Sequence, residues 1–343
     1  MAFNLYVRKA IKQFVFGGDI LPTRFFIKQS NPQTEITVWL HGFGPPRDVT
    51  RCHAPASSVP CTFWIAFESS PGPNQNERTR LLLRFCENSG KKKMLGEIGL
   101  KWIKTIEVGK GEIQIFEPNS AANYCYPKFQ IWTRSLLHTW RQQHSKASIK
   151  PSDLELRAMS VLFICPRPIS LVSVQDDERA NIFPLNIMSD LHDGYFAFAL
   201  TAWKIPAMFL EHVRFFALSD TPIERGSTAF NLAINHNNFS IKWEELPFET
   251  KPSNTLGTPV PVFSPRIREM EIESVYRVGS HSIFIARTIS DERLAEGPEL
   301  SVVHGFYQAW RIRHGLDNIS SIVEDANIRS GLSSNLSAFH RHL

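Results

Sequence analysis

The sequence is short of cysteine. Five occur in 343 residues (Cys52, Cys61, Cys86, Cys125 and Cys165), an odd number with no C-x-x-C pair. That argues against a disulfide framework and makes a reduced, cytoplasmic chain the simplest reading. Cys52-His53, with Cys61 further on, fits no common ligand spacing, so no metal is expected. No run of eighteen apolar residues occurs, which leaves no candidate membrane span. Near the start, Phe3, Val7, Ile11 and Val15 have helical spacing interrupted by charges, unlike the apolar stretch of a signal peptide. Charge of one sign is not concentrated either. Lys and Arg number 38 against 33 Asp and Glu, a net charge of +5. The one basic run, Lys91-Lys92-Lys93, follows Ser89-Gly90 and reads as a solvated turn, so no nucleic-acid partner is expected. G-x-G-x-x-G, the Walker loop and G-x-S-x-G are all missing. That leaves no sign of a Rossmann site or a P-loop, and Ser170, Ser173 and His192 lack a nucleophile's surroundings.

What is present is an ordinary globular composition, 43% hydrophobic and 21% charged, in a chain long enough for one large or two ordinary domains. Residues 1 to 16 read as an amphipathic helix stopped by Gly17-Gly18-Asp19. Residues 22 to 46 read as β-structure, with Ile36, Val38 and Leu40 alternating. Further strands are expected over 62–67, 81–85, 104–108 and 112–116, the last two turning at Gly109 to Gly111. A helix over 128–144 carries Phe129, Trp132, Leu136, Leu137 and Trp140 at i, i+3, i+4 spacing, a stripe that reads as core. His41 and Arg47-Asp48 are the polar clusters of this half that could line a pocket. Residues 1–150 thus read as an α+β domain of unknown role. Residues 48–67, a polar loop, a proline and an apolar strand, keep open a second reading as a diverged barrel. Ser145 to Ser152 is the linker candidate.

The second half opens on Pro166-Arg167-Pro168, whose prolines cannot donate to a ladder and so belong before the strand, then an apolar strand from Ile169 to Val174, a turn at Gln175 to Glu178, and Ala180 to Leu185. Strands follow over 195–203 and 214–219, a helix over 208–213, a crossing loop over 251–261, and a hairpin of 271–278 with 282–289 turning at Gly279-Ser280. His236-Asn237-Asn238 reads as a turn. From Gly315 the chain reads helical to Arg329, then as a frayed or partner-seeking tail.

The wording PRPISLVSVQDDERANIFPLN (166–186) resembles the opening of the flavin reductase-like family of FMN-binding split barrels. YRVGSHSIFIARTIS (276–290) looks like that family's G-[DS]-H strand, and HGFYQA (304–309) like its closing strand with G-x-Y. The resemblance covers roughly residues 155–315. It implies a β-rich α+β chain: a flavin reductase-like split β-barrel over 151–315, the additional N-terminal α+β domain before it, and a C-terminal helix and tail over 316–343. It also implies FMN as cofactor, NAD(P)H as a possible co-substrate, and a homodimer, because split barrels of this family bind flavin at a dimer interface.

Carried over residue by residue, the flavin-gripping segment is Asn181, Phe183, Pro184, Leu185 and Asn186. Asn186 stands where the family has a small hydroxyl residue, and an amide can serve as the donor instead. After the next long strand the basic residue is Lys204. Ile205-Pro206 stand where the family has Asp-Thr, and Thr201 could supply the missing hydroxyl. Trp203 reads either as a stacking platform or as core. His281 is the residue implied beside flavin and nicotinamide, where a neutral imidazole can donate or accept. Hydride transfer asks for stacking and orientation more than for an acid or base, so no triad is expected. The function implied is an FMN-dependent oxidoreductase, either an NAD(P)H:flavin reductase or a flavoenzyme acting on a small organic substrate. The alternative is a flavin- or ligand-binding protein without turnover.

Overall fold

The computed structural model describes residues 24–29, 32–68, 72–73, 80–90, 92–143, 151–316 and 322–324. The helix expected over 1–16, most of the linker and the tail lie outside the described residues. In chain order the first half holds β1 (Arg24–Gln29), β2 (Ile36–His41), β3 (Arg47–Asp48), β4 (His53–Ser58), β5 (Cys61–Phe67), β6 (Leu82–Glu87), β7 (Met94–Val108) and β8 (Gly111–Asn123). Helices Lys128–Gln143 and Asp153–Leu162 follow. The second half holds β9 (Arg167–Pro168), β10 (Ser170–Gln175), β11 (Ala180–Leu185), β12 (Met188–Asp190), β13 (Tyr195–Thr201), helix Ile205–Leu210, β14 (Phe215–Asp220), β15 (Thr250–Pro252), β16 (Pro259–Pro261), β17 (Arg266–Val278), β18 (His281–Arg293) and β19 (Glu299–His304). Helix Gly305–Arg313 and β20 (Ile322–Glu324) come last.

Two antiparallel seven-stranded sheets dominate. The first runs β3-β2-β6-β7-β8-β5-β4 and the second β11-β10-β14-β17-β18-β13-β12. Put β10 to β14 in place of β2 to β6, and β17 and β18 in place of β7 and β8, and the first order becomes the second. The ladders agree in register as well. Val108 faces Gly111 across the first long hairpin and Val278 faces His281 across the second. Two residues along, Ile113 faces Ala66 and Ile283 faces Ala199. The described strands of the first half thus share their strand order with those of the second. No sequence repeat shows it, because the equivalent positions carry different residues: Trp64 stands where the second half has Ala197, and Gly111 where it has His281.

The two sheets pack on each other through small and β-branched side chains. Ala54, Ala66 and Ile113 of the first meet Ala197, Ala199 and Ile283 of the second in one buried cluster. Trp64 Nε1 donates across the seam to Ser189 Oγ at 2.9 Å. The contact is reciprocal. A Cβ on Gly109, at the first hairpin turn, would come within 2.7 Å of the Tyr195 ring, and one on Gly279, at the second, within 2.8 Å of Pro60. Both glycines have positive φ, +57° and +55°, a conformation that costs a side-chain-bearing residue free energy.

The halves are also threaded together. β1 pairs antiparallel with β19, Arg24 opposite His304 through Gln29 opposite Glu299. Arg167 of the PRPI stretch is buried and donates from Nη1 to the His53 carbonyl at 2.6 Å. The His53 ring in turn contacts the Val49 carbonyl through Nδ1 at 2.7 Å, and burial keeps its pKa well below the usual range. Helix 153–162 starts on a capping box between Ser152 and Glu155, whose carboxylate also accepts from Cys61 N at 2.8 Å.

Four sequence expectations are corrected here. The 304–309 stretch is not a strand: His304 ends β19, and its ring accepts from Phe306 N, capping helix Gly305–Arg313. The 251–261 stretch is not a bare loop, since β15 and β16 pair within it. Residues 322–324, expected as helix, form a strand on β1. The aromatic stripe of the 128–143 helix is not core. Phe129, Trp132, Leu136 and Trp140 are 49 to 58% exposed, while Ile131 and buried Arg134 take the inner face. Periodicity shows that a helix is two-faced, not which face its neighbours cover.

Glu299 opens β19 and bridges to Pro222. Burial, then the Asp220 carboxylate, push its pKa up to about 7 against the pull of Arg268, Arg266 and Arg293. A carboxyl raised in the fold keeps its proton there while the unfolded chain has lost it. Stability therefore falls as pH rises from 4.5 to about 7, and the penalty is complete above that. Glu299→Gln is expected to stabilise the protein at pH 8 by about 2 kcal/mol and to change little near pH 4. Urea midpoints at the two pH values check this, and an equal change at both would show that charge is not the cause.

Candidate functional site

The site forms where the second long hairpin meets the end of β13. A turn at Gly279-Ser280 starts β18 at His281, and the ladder sets His281 opposite Thr201. His281 Nε2 lies 3.3 Å from Thr201 Oγ1, and Nδ1 lies 2.9 Å from Ser280 Oγ. His281 is only 5% exposed, and burial pushes its pKa down to about 4, so the ring is neutral near pH 7.

Beyond Thr201 the chain turns tightly. Lys204 N donates to the Thr201 carbonyl at 3.0 Å, and Ala202 N to the Ser280 carbonyl at 3.0 Å. These bonds hold the 201–204 turn against the hairpin tip. Trp203 stands 55% exposed on it, a surface position rather than a core one. The Lys204 ammonium donates to Asn237 Oδ1.

Asn237 belongs to the 3-10 segment Leu232–Asn237, which lies along β11. Asn181 is buried there, and its amide donates to the carbonyls of Asn235 (3.2 Å) and Asn238 (3.1 Å). Asn235 returns a bond to the Ile182 carbonyl at 2.8 Å. Phe183 is buried with its ring 5.2 Å from that of His236, and His236 Nε2 donates to the Pro184 carbonyl at 3.1 Å. Burial lowers the His236 pKa, and the Lys204 charge lowers it further. Leu185 is buried, and Asn186 is half-buried on the link to β12.

The structure therefore joins Thr201, Trp203, Lys204 and His281 at one hairpin tip. Asn181, Phe183, Pro184 and Leu185 lie along the strand beneath the 232–237 segment, reached from the tip through Lys204 and Asn237. Sequence reasoning passed over His236 and Asn237, read as a plain turn, although their polar composition was visible. It also missed Ser280 and Ser57. Ser57 lies on β4 in the other half, at a register shift in that strand, and its Oγ is 2.9 Å from Ser280 Oγ. No local signal marks it, because its partner is 223 positions away.

The equivalent position in the first half is built differently. Gly111 stands where the second half has His281. The cleft there is lined by Phe67, Val108, Gly111, Glu112, Leu191 and His192, among others, and His192 Nδ1 pairs with Glu68 at 2.5 Å. Among the described residues, no group of three or more His, Cys, Asp or Glu could hold a metal ion, and no helix is long and apolar enough to cross a membrane.

No protein-family model and no curated protein matches the chain. Solved structures do. One is the NADH:FAD oxidoreductase SgcE6 of Streptomyces globisporus C-1027, at 16% identity over 47% of this chain and 95% of that one, with a TM-score of 0.40. Another is BorF, the flavin reductase component of a bacterial two-component tryptophan halogenase, at 18% identity over 43% and 91%, with a TM-score of 0.37. A third is an FMN-binding protein from Thermus thermophilus, at 21% identity over 38% and 71%, with a TM-score of 0.34. Each of these three likenesses covers less than half of this chain.

Proposed function

We propose that the protein is a flavin-dependent oxidoreductase, with FMN as cofactor and NAD(P)H as the hydride donor. The observation that carries this is the neutral, buried His281 bonded to Thr201 at the hairpin tip, with Lys204 one turn beyond, all within the 155–315 region that resembles the flavin reductase-like family. The residues fit such a group in kind. A flavin phosphate is held by cations and N–H donors, and Lys204 is a cation on this ridge. A ring system is held by flat apolar surface, which exposed Trp203 offers. When bound, the flavin supplies the hydride acceptor; the chain's part is to grip it, orient it and offer one neutral imidazole to a polar edge.

The first test is the visible spectrum of the purified protein, with identification of any flavin released on heating, then anaerobic NADH or NADPH. Flavin bands, released FMN and bleaching are expected. His281→Ala is expected to slow bleaching about tenfold while leaving flavin content near one equivalent, the effect of losing one hydrogen bond made to the reacting pair. Unchanged bleaching would make His281 structural. The second reading, a flavin- or ligand-binding protein without turnover, is favoured by one feature: the Lys204 ammonium is already committed to Asn237. Flavin uptake with no bleaching by either nicotinamide would put that reading first.

A further inference from the structure

The polar chain that ends on His281 begins in the opposite half of the molecule. Ser57 Oγ accepts from Ser280 N at 3.1 Å. Its own proton has two acceptors in reach, the Val59 carbonyl at 3.4 Å and Ser280 Oγ at 2.9 Å. The shorter contact is the stronger hydrogen bond. Ser280 Oγ also receives Val59 N–H at 3.4 Å. With both donors aimed at it, Ser280 has one proton left to give, and His281 Nδ1 stands 2.9 Å away. A neutral imidazole that accepts at Nδ1 carries its proton on Nε2, and Nε2 faces Thr201 Oγ1, a hydroxyl able to accept it.

We infer that Ser57 is a positioning residue for His281: the first half reaches across the seam, and through Ser280 holds the imidazole in the Nε2–H form, so that one chain builds the site from its two halves. The seam is the reason this can work. The two hairpin turns contact opposite halves in the reciprocal manner of an isologous pair, yet the contacts differ. At the second turn the absent Cβ of Gly279 would lie 2.9 Å from Ser57 Oγ; at the first turn Gly109 faces the Tyr195 ring. Only the second turn is followed by a histidine, so the pair of halves carries one such centre.

The functional consequence rests on the oxidoreductase reading. An imidazole held in the Nε2–H form selects a ligand edge that accepts, a carbonyl or carboxamide oxygen taking the place of Thr201 Oγ1, over one that donates.

The test is histidine-selective nitrogen NMR on the full chain, flavin-free and then with FMN added, for the wild type, Ser57→Ala and Ser57→Thr. His281 is assigned from the spectrum of His281→Gln. The wild type is expected to show Nε2 protonated and Nδ1 bare. Ser57→Ala removes the donor that aims Ser280, so the Nδ1–H form is expected to rise about tenfold in population, the change that one hydrogen bond of ordinary strength produces. Ser57→Thr keeps the hydroxyl and is expected to restore the wild-type pattern. A wild-type His281 protonated on Nδ1, or a tautomer unmoved in a folded Ser57→Ala protein, overturns the inference. Should Ser57→Ala not fold, the wild-type and Ser57→Thr spectra still decide. Absence of flavin binding would count against the proposed function and leave the tautomer result standing, because it is read without flavin.

Discussion

Glu35→Ala is expected to lower the unfolding free energy by about 3–5 kcal/mol, seen as a lower urea midpoint with an unchanged slope. Glu35 stands just before β2, and Arg311 lies in the helix that follows β19. Arg311 is 2% exposed. Its Nε donates to Glu35 Oε2 at 2.8 Å and its Nη2 to Oε1 at 2.9 Å, a fork on a carboxylate. The Tyr307 hydroxyl donates to the same carboxylate at 2.7 Å. Burial, then Glu35, keep that phenol protonated far above its ordinary range. Removing the carboxylate takes the forked acceptor from a buried guanidinium that keeps its bonds to Gln308 and the Leu316 carbonyl, and leaves the phenol without this acceptor. The cost is that of taking a carboxylate from a buried guanidinium, not the modest net worth of an exposed pair. For the same reason Glu35→Leu combined with Arg311→Met is expected to recover part of the loss, since both charges go together. A single-variant loss below about 1 kcal/mol, as for an exposed pair, would show that the two ends of the chain are held by β1 and β19 alone.

Gly279→Val is expected to cost about 2–5 kcal/mol. About 1–2 kcal/mol comes from placing a β-branched residue at φ +55°. A further 1–3 kcal/mol, roughly, comes from driving a side chain into Pro60, Ser57 and Val59 of the other half. Gly257 supplies the control. Its φ is +67°, and a Cβ there would meet nothing within 4 Å, so Gly257→Val is expected to cost the backbone part only. Thermal unfolding of the two variants side by side isolates the contact between halves. Equal losses would mean that the hairpin tip yields and that the seam is softer than its geometry indicates.

Much of the local structure was legible in the residues. The alternation of Ile36, Val38 and Leu40 reports a strand with one buried face, and all three are fully buried. Gly109 to Gly111 and Gly279-Ser280 mark turns because left-handed φ favours glycine, and both hairpins form there. The hairpin expected over 271–289 forms as β17 and β18, with His281 at the start of the second strand. The limits of the same reasoning show at the helix of residues 128–143, whose aromatic face turned outward, and at 304–309, where a histidine cap ended the strand.

What the sequence by itself determined are properties of segments. Strand or helix, turn position and the chemistry of a motif depend on energies within a few residues: torsional preferences, periodic burial, capping. What only the tertiary structure decided is which segments meet. The match in strand order between the two halves could not be read, because sheet topology is set by which faces cover one another, and many residue sets bury the same faces. The pairing of β1 with β19 and the approach of Ser57 to Ser280 are decided likewise. Each is a contact between positions more than two hundred residues apart; burial of the Ala66 and Ala199 faces against one another holds the second, and burial of Ile27 with Leu300, Val302 and Val303 holds the first. No local pattern carries that information, since the free energy that selects it is gained only when both surfaces leave water together.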